Sequence, residues 1–178
     1  MKVTVLREAG IEEALLGLSL SYNQPVEKMK AVADRLADKN EAHNKFLESI
    51  VVWVDVIAPR FWWQEFDTYR VGVTKQSEST IHTIMKTELM PEDFAHPIFQ
   101  PELDRLNDMI LDERFIELKN ALPEGFLQRR IVCTNYKTLR RIIFQRKNHK
   151  LPEWHTFIQA ILTQVEHPEW LPSYGGTK

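Results

Sequence analysis

Cysteine is nearly absent from this 178-residue chain, since Cys133 is the single one. An internal disulfide and a cysteine-based zinc site are therefore both excluded. Long apolar runs are missing too: no stretch approaches the roughly 20 residues that span a bilayer. The opening MKVTVLREAG lacks the basic-then-apolar build of a secretory leader, so a soluble, cytoplasmic protein is expected. No Walker loop and no glycine-rich dinucleotide fingerprint occurs, which excludes those two modes of nucleotide binding. What remains is a length suited to one domain with a real core, 43% hydrophobic and 27% charged residues, and a net charge of −2.

Periodicity predicts mixed α and β elements in one unit over residues 1–172, followed by a flexible tail, 173–178. Residues 1–6 alternate and are β-branched, as in a strand, and 11–20 read as an apolar helix. A second helix fits 26–38, where Val26, Met29, Val32, Ala33 and Leu36 recur at helical spacing. The run IVVWVDVI at 50–57 is the strongest strand, apolar enough to be covered on both faces. Pro59 suits the first turn of a helix through FWWQEFDTYR, and 71–80, with Gly72 and four hydroxyl side chains, reads as a loop. One long helix is expected over 102–121, a strand over LQRRIVCT, a helix over NYKTLRRIIFQRK and a last helix from Pro152 through Val165.

Charge is uneven along the chain. Residues 129–150 hold eight Lys or Arg and no Asp or Glu, so −2 overall against +8 here leaves −10 for the rest. Such a stretch is either a site for an anion such as a nucleotide phosphate, or a solvated face or subunit contact. On the helix from Asn135, the residues Asn135, Leu139, Ile143 and Arg146 share one face, and Leu139, Ile142 and Ile143 mark that face as the core side. An arginine at its end needs a carboxylate, carbonyls or a bound anion, unless it snorkels to water. Trp62, Phe66 and Arg70 step by four in the same way, placing Arg70 on an aromatic stripe beside the hydroxyl-rich loop. Two arginines at apolar margins plus that loop are the parts of an anion pocket.

Other constellations are weaker. His149, Glu153 and His155 could ligate a metal, but Pro152 interrupts their register and no cysteine supports them, so no metal is expected. Cys133 is a nucleophile in name, a buried thiol being the commoner case. Trp53, Trp62 and Trp63 are core, subunit interface, or the wall of a flat heteroaromatic site. Overall acidity argues against a nucleic-acid face as the main role.

Taken in order, these segments resemble the flavin-dependent thymidylate synthases along most of the chain. MKVTVL and the helix ending in LSYN look like that family's opening, and HNKFLES at 43–49 is similar to its His-x-x-x-x-Glu-His segment, with Ser49 replacing the second histidine. The segment after FWWQEFDTYR occupies the place of the signature Arg-His-Arg-x-x-Ser-x-Asn-Glu-x-Ser-x-Arg. The C-terminal LPEGFLQRRIVCTNYKTLRRIIFQRKNHKLPEW matches more closely. The resemblance implies an α+β fold with a small central sheet flanked by helices. It also implies FAD as cofactor, methylenetetrahydrofolate and NADPH as co-substrates, a deoxyuridylate-like pyrimidine nucleotide as acceptor, and a homotetramer.

Carried over by residue, the resemblance puts His43, Arg70, Asn135 and His149 at the flavin. Lys119, Arg146 and Ser77 or Ser79 fall on the nucleotide, and Arg146 and Gln76 at the reacting centre. The signature is degenerate: Thr68 and Tyr69 replace two members of the triplet, and Val73, Lys75, Glu78 and Thr80 depart from it as well. Those departures fit a variant reaction such as hydroxymethylation. They fit equally a relative that binds a nucleotide or partner without catalysis.

Overall fold

In the computed structural model, which describes residues 1–39 and 41–175, a four-stranded sheet carries the helices. Strand β1 is Lys2–Ala9, β2 Val51–Pro59, β3 Thr74–Ser77 and β4 Leu127–Asn135, in the order β1-β2-β4-β3. Antiparallel pairing of β2 with β4 is pinned at both ends, by Arg60 N–H on the Phe126 carbonyl (3.1 Å) and Tyr136 N–H on the Ile50 carbonyl (3.1 Å). The helices are α1 (Ile11–Tyr22), α2 (Met29–Ala37), α3 (Arg60–Phe66), the single turn α4 (Thr80–Thr83), α5 (Gln100–Leu111), α6 (Phe115–Ala121), α7 (Tyr136–Arg146) and α8 (Pro152–Gln164). This is the expected α+β class. Among the described residues no helix is long and apolar enough to cross a membrane.

The chain divides into two units, and β2, β3 and β4 each contribute residues to both. One unit comprises Ile57–Thr68 and Gln76–Arg130. Its core is Leu103, Leu106 and Met109 of α5 and Leu118 of α6, packed with Ile84, Leu89, Phe94, Leu122 and Phe126. Trp62 and Trp63 are buried here at 0% and 1% exposure, Trp62 stacked on Phe66 at 4.9 Å, so both are core residues of this chain. The Trp63 indole N–H donates to the Gln128 carbonyl (3.0 Å), and Arg130 lies 4.4 Å from its ring while pairing with Asp67 (3.1 Å).

The other unit comprises Lys2–Val56, Tyr69–Lys75 and Ile131–Lys178. Helix α8 packs along β1, and its Gln164 amide plugs that strand's outer edge, accepting from Val5 N–H (3.0 Å) and donating to the Val3 carbonyl (3.2 Å). A side chain thus replaces the missing neighbour strand, which blunts edge-to-edge pairing. Around Trp170 a polar network closes: Asp34 accepts from its indole N–H (2.8 Å), Lys30 bridges Asp34 and Glu169, and His167 stacks on the indole at 3.9 Å. In the tail, Tyr174 donates to or accepts from His155 Nδ1 (2.5 Å) and stacks on that ring; residues 176–178 of the expected flexible segment lie outside the described residues.

Several boundaries differ from the sequence reading, each for a local reason. Helix α3 stops at Phe66 instead of running to Arg70, because the Thr68 hydroxyl turns back onto the Glu65 carbonyl (2.7 Å) and Arg130 ties down Asp67. The expected 102–121 helix is two, broken at Glu113, whose φ of 57° leaves the helical region. The 71–80 loop contains edge strand β3, invisible to alternation because none of its side chains is buried. Strand β2 alternates: Val52, Val54, Val56 and Ala58 are fully buried, while the residues between them are half-covered, so it is not sealed on both faces.

Two predictions follow from these details. Gly10 sits at φ 93°, and a Cβ there would lie 2.4 Å from the Ser49 carbonyl oxygen, so Gly10→Ala is expected to lower unfolding free energy by about 1–3 kcal/mol in urea titrations. For Glu169, burial opposes ionisation, but hydrogen bonds from Lys30 and His167 outweigh it and hold the carboxyl at about 2 against an ordinary 4.5. A depressed carboxyl contributes stability above its unfolded value and loses it as pH falls through its folded one. The Tm advantage of wild type over Glu169→Gln should therefore be constant above pH about 5 and vanish toward pH about 2.

Candidate functional site

Asn135 ends β4 in extended geometry and its side-chain oxygen accepts from Thr138 N–H (2.9 Å), capping α7 as a short amide does best. The segment 70–73 is laid over this junction. Thr134 donates its hydroxyl to the Gly72 carbonyl (2.9 Å), and Arg141 reaches the Val71 carbonyl (3.3 Å). Only glycine suits position 72: its φ is 71°, and a Cβ would come within 2.4 Å of the Thr138 hydroxyl. The result is an open groove of about 310 Å³, lined by Val51, Arg70, Val73, Thr74, Cys133 and Asn135 among others. Arg70 is exposed and lines this groove. Cys133 is a free, half-buried thiol on the groove wall.

Arg146, at the C-terminal end of α7, is held by aromatic groups. Its Nε–H donates to the Tyr69 hydroxyl (2.8 Å), and its guanidinium carbon lies 5.6 Å from the Tyr69 ring and 4.7 Å from the Trp154 ring. His149 stands edge-on to the same Trp154 at 6.3 Å, its Nδ1 accepting from Leu151 N–H (3.2 Å). The reading of Arg146 as a cation at the end of a core-facing helix surface therefore holds, with π faces and a phenol oxygen among its partners. The reading of Arg70 needs correction. Because α3 ends early, Tyr69 takes the inward position (5% exposed), and Arg70 turns out to the groove instead of continuing an aromatic stripe.

The remaining expected residues distribute as follows. His43 is exposed in the irregular Glu41–Glu48 segment and lines a different opening of about 550 Å³, with Glu13, Tyr22, Phe46, Glu48 and Ser49. Arg70 and Asn135 thus share one groove, and His43 faces another. Gln76 and Ser77 are exposed on β3, and the Ser79 carbonyl accepts from Thr83 N–H (3.1 Å). In the same unit, Lys119 Nζ donates to the Thr80 hydroxyl (2.6 Å). Among the described residues no group of three His, Cys, Asp or Glu side chains is arranged to hold a metal, His149, Glu153 and His155 included.

Sequence periodicity missed Tyr69, Arg141 and Trp154. No single helix contains an arginine with both of its rings, so the box around Arg146 has no repeat to reveal it. The one available signal was the departure at Tyr69 itself, a large aromatic next to an expected anion ligand.

The groove's donors suit an anionic cofactor such as FAD. Arg70 offers a guanidinium, Thr74 a hydroxyl, and Val51 and Val73 apolar contact at a groove open to solvent. Asn135 has its oxygen committed to the helix cap, which leaves its amide N–H₂ as the donor toward a ligand. This set fits the phosphate-bearing part of a flavin nucleotide.

No protein-family profile matches the sequence, and no curated protein matches it. Solved structures do match. Flavin-dependent thymidylate synthase ThyX from Helicobacter pylori, complexed with FAD and dUMP, superimposes with a TM-score of 0.82 at 15% identity, over 96% of this chain and 98% of that one. A second structure of Helicobacter pylori ThyX with FAD and dUMP gives a TM-score of 0.79 at 15% identity, over 94% and 95% of the two chains. The correspondence is one of backbone architecture along essentially the whole length, and this chain therefore has the fold of the flavin-dependent thymidylate synthases.

Proposed function

We propose that the protein binds FAD and a pyrimidine nucleoside monophosphate, and transfers a one-carbon unit from methylenetetrahydrofolate to C5 of a deoxyuridylate-like acceptor, with NADPH as reductant. The observation that carries this reading is the pairing of Arg70 with Asn135 in one groove, beside a segment that also fixes Arg146, in a fold shared with an FAD- and dUMP-bound enzyme. Arg70 and the Asn135 amide hold the flavin nucleotide's phosphates, and His149, which stands against Trp154, is a further flavin contact by resemblance. Arg146 grips the pyrimidine nucleotide. Lys119, Ser77 or Ser79, and Gln76 enter by resemblance alone, Lys119 and the serine as phosphate donors and Gln76 as a residue at the reacting base.

When bound, the flavin would supply the two electrons that take the transferred carbon to a methyl group, whereas a hydroxymethyl product would take up water in their place. What this chain's residues do is bind, orient and neutralise charge, roles that ask for no protein nucleophile. His43, facing its own opening, serves the flavin across subunits of a homotetramer working in the cytoplasm.

Purified protein tests this directly. It should show visible flavin absorbance or acquire it on adding FAD, and titration calorimetry should detect dUMP binding. Loss of Arg146 in Arg146→Ala removes charge-assisted hydrogen bonds of about 1.5–3 kcal/mol each, so affinity should fall at least about tenfold. Incubation with dUMP, methylenetetrahydrofolate and NADPH should give a methylated or hydroxymethylated product by mass spectrometry. A colourless protein that takes up no FAD contradicts the flavin reading, and nucleotide binding without product identifies a non-catalytic binder.

A further inference from the structure

A guanidinium that must recognise a planar pyrimidine or a phosphate is useful only if its plane is fixed before the ligand arrives. Arg146 is on the last turn of α7, where a long side chain ordinarily samples many rotamers. Here three contacts limit it. Trp154, fully buried on α8, presents its face at 4.7 Å, Tyr69 presents its ring at 5.6 Å, and the Tyr69 hydroxyl accepts the Nε–H at 2.8 Å. The two rings pack edge to face on each other, with centroids 6.0 Å apart and planes at 76°, so neither is free to tilt away. Stacking alone restrains the stem and tolerates rotation of the group. The hydrogen bond at Nε sets the plane, because it engages one of the five donors of a rigid fork.

Tyr69 is itself immobilised from its two sides in the chain. Thr68 closes the end of α3 on one side, and on the other the Val71 carbonyl is held by Arg141, whose guanidinium also lies 5.9 Å from the Tyr69 ring. A phenol at this position is therefore suited to hold a neighbouring cation, and two arginines converge on it. We propose that Tyr69 is a positioning residue that presets Arg146 for a pyrimidine nucleoside monophosphate. This role rests on the proposed function and adds to it a residue that stands where the resembling signature has histidine.

Titration calorimetry with dUMP on wild type, Tyr69→Phe, Arg146→Lys and the double variant tests the role. The phenyl ring keeps the packing and removes the hydroxyl that accepts from Arg146, so Tyr69→Phe should bind dUMP about tenfold more weakly. Arg146→Lys, which lacks the planar fork, should lose at least as much, and the double variant no more than Arg146→Lys alone. The Arg146 Nε–H resonance should be resolved and slowly exchanging in wild-type protein without ligand, and lost in Tyr69→Phe, a readout that simple packing would not move. Unchanged dUMP affinity in Tyr69→Phe, or additive losses in the double variant, overturns the positioning role while leaving the functional reading intact. A wild type that binds no dUMP overturns both.

Discussion

A positive charge kept beside buried aromatic rings is the constraint around which the candidate site is organised. Arg146 ends a helix whose preceding core-facing residues, Leu139, Ile142 and Ile143, are fully buried, so its stem leaves an apolar surface before its head meets a partner. Tyr69 and Trp154 meet that head. A guanidinium over an aromatic face gains about 0.5–2 kcal/mol, depending on how far it is desolvated. That contribution is modest, so the pair of rings and the phenol act mainly by fixing orientation.

The same segment that delivers Tyr69 also builds the neighbouring groove. Once α3 ends at Phe66, residues 69–72 turn one side chain inward, the next outward, and then cross the start of α7. The crossing requires Gly72 in its positive-φ conformation, and it is secured by Thr134, Thr138 and Arg141 on carbonyl oxygens of that segment. Inward Tyr69 and outward Arg70 are therefore two consequences of one turn. One residue holds a cation within the fold, and the other leaves a cation exposed at the groove.

Much of the architecture was legible in the sequence because it depends on regular burial. The helical spacing of Leu139, Ile142 and Ile143, the β-branched run at 50–57 and the proline-led start of α8 each announced their element. Residues carried by the family resemblance, such as Asn135 and Arg146, were marked independently by periodicity on α7. What the sequence could not show arises where burial pattern and backbone part company. Strand β3 buries none of its four side chains, so alternation had nothing to display. The early end of α3 depends on a threonine hydroxyl and on Arg130 from a strand sixty-odd positions away, and the break at Glu113 on one residue's φ. Trp154 joins Arg146 only through tertiary packing, which no local period encodes.

The altered signature fits the same picture. Tyr69, where the resembling signature has histidine, is large enough for its hydroxyl to reach Arg146. The most direct measurement is a crystal structure of the protein soaked with FAD and dUMP. The account predicts flavin phosphates against Arg70 in the groove beside Asn135, and the nucleotide within hydrogen-bond distance of Arg146 while Tyr69 still holds its Nε–H. A nucleotide bound elsewhere, with Arg70 in solvent and Arg146 touching no ligand, would contradict it.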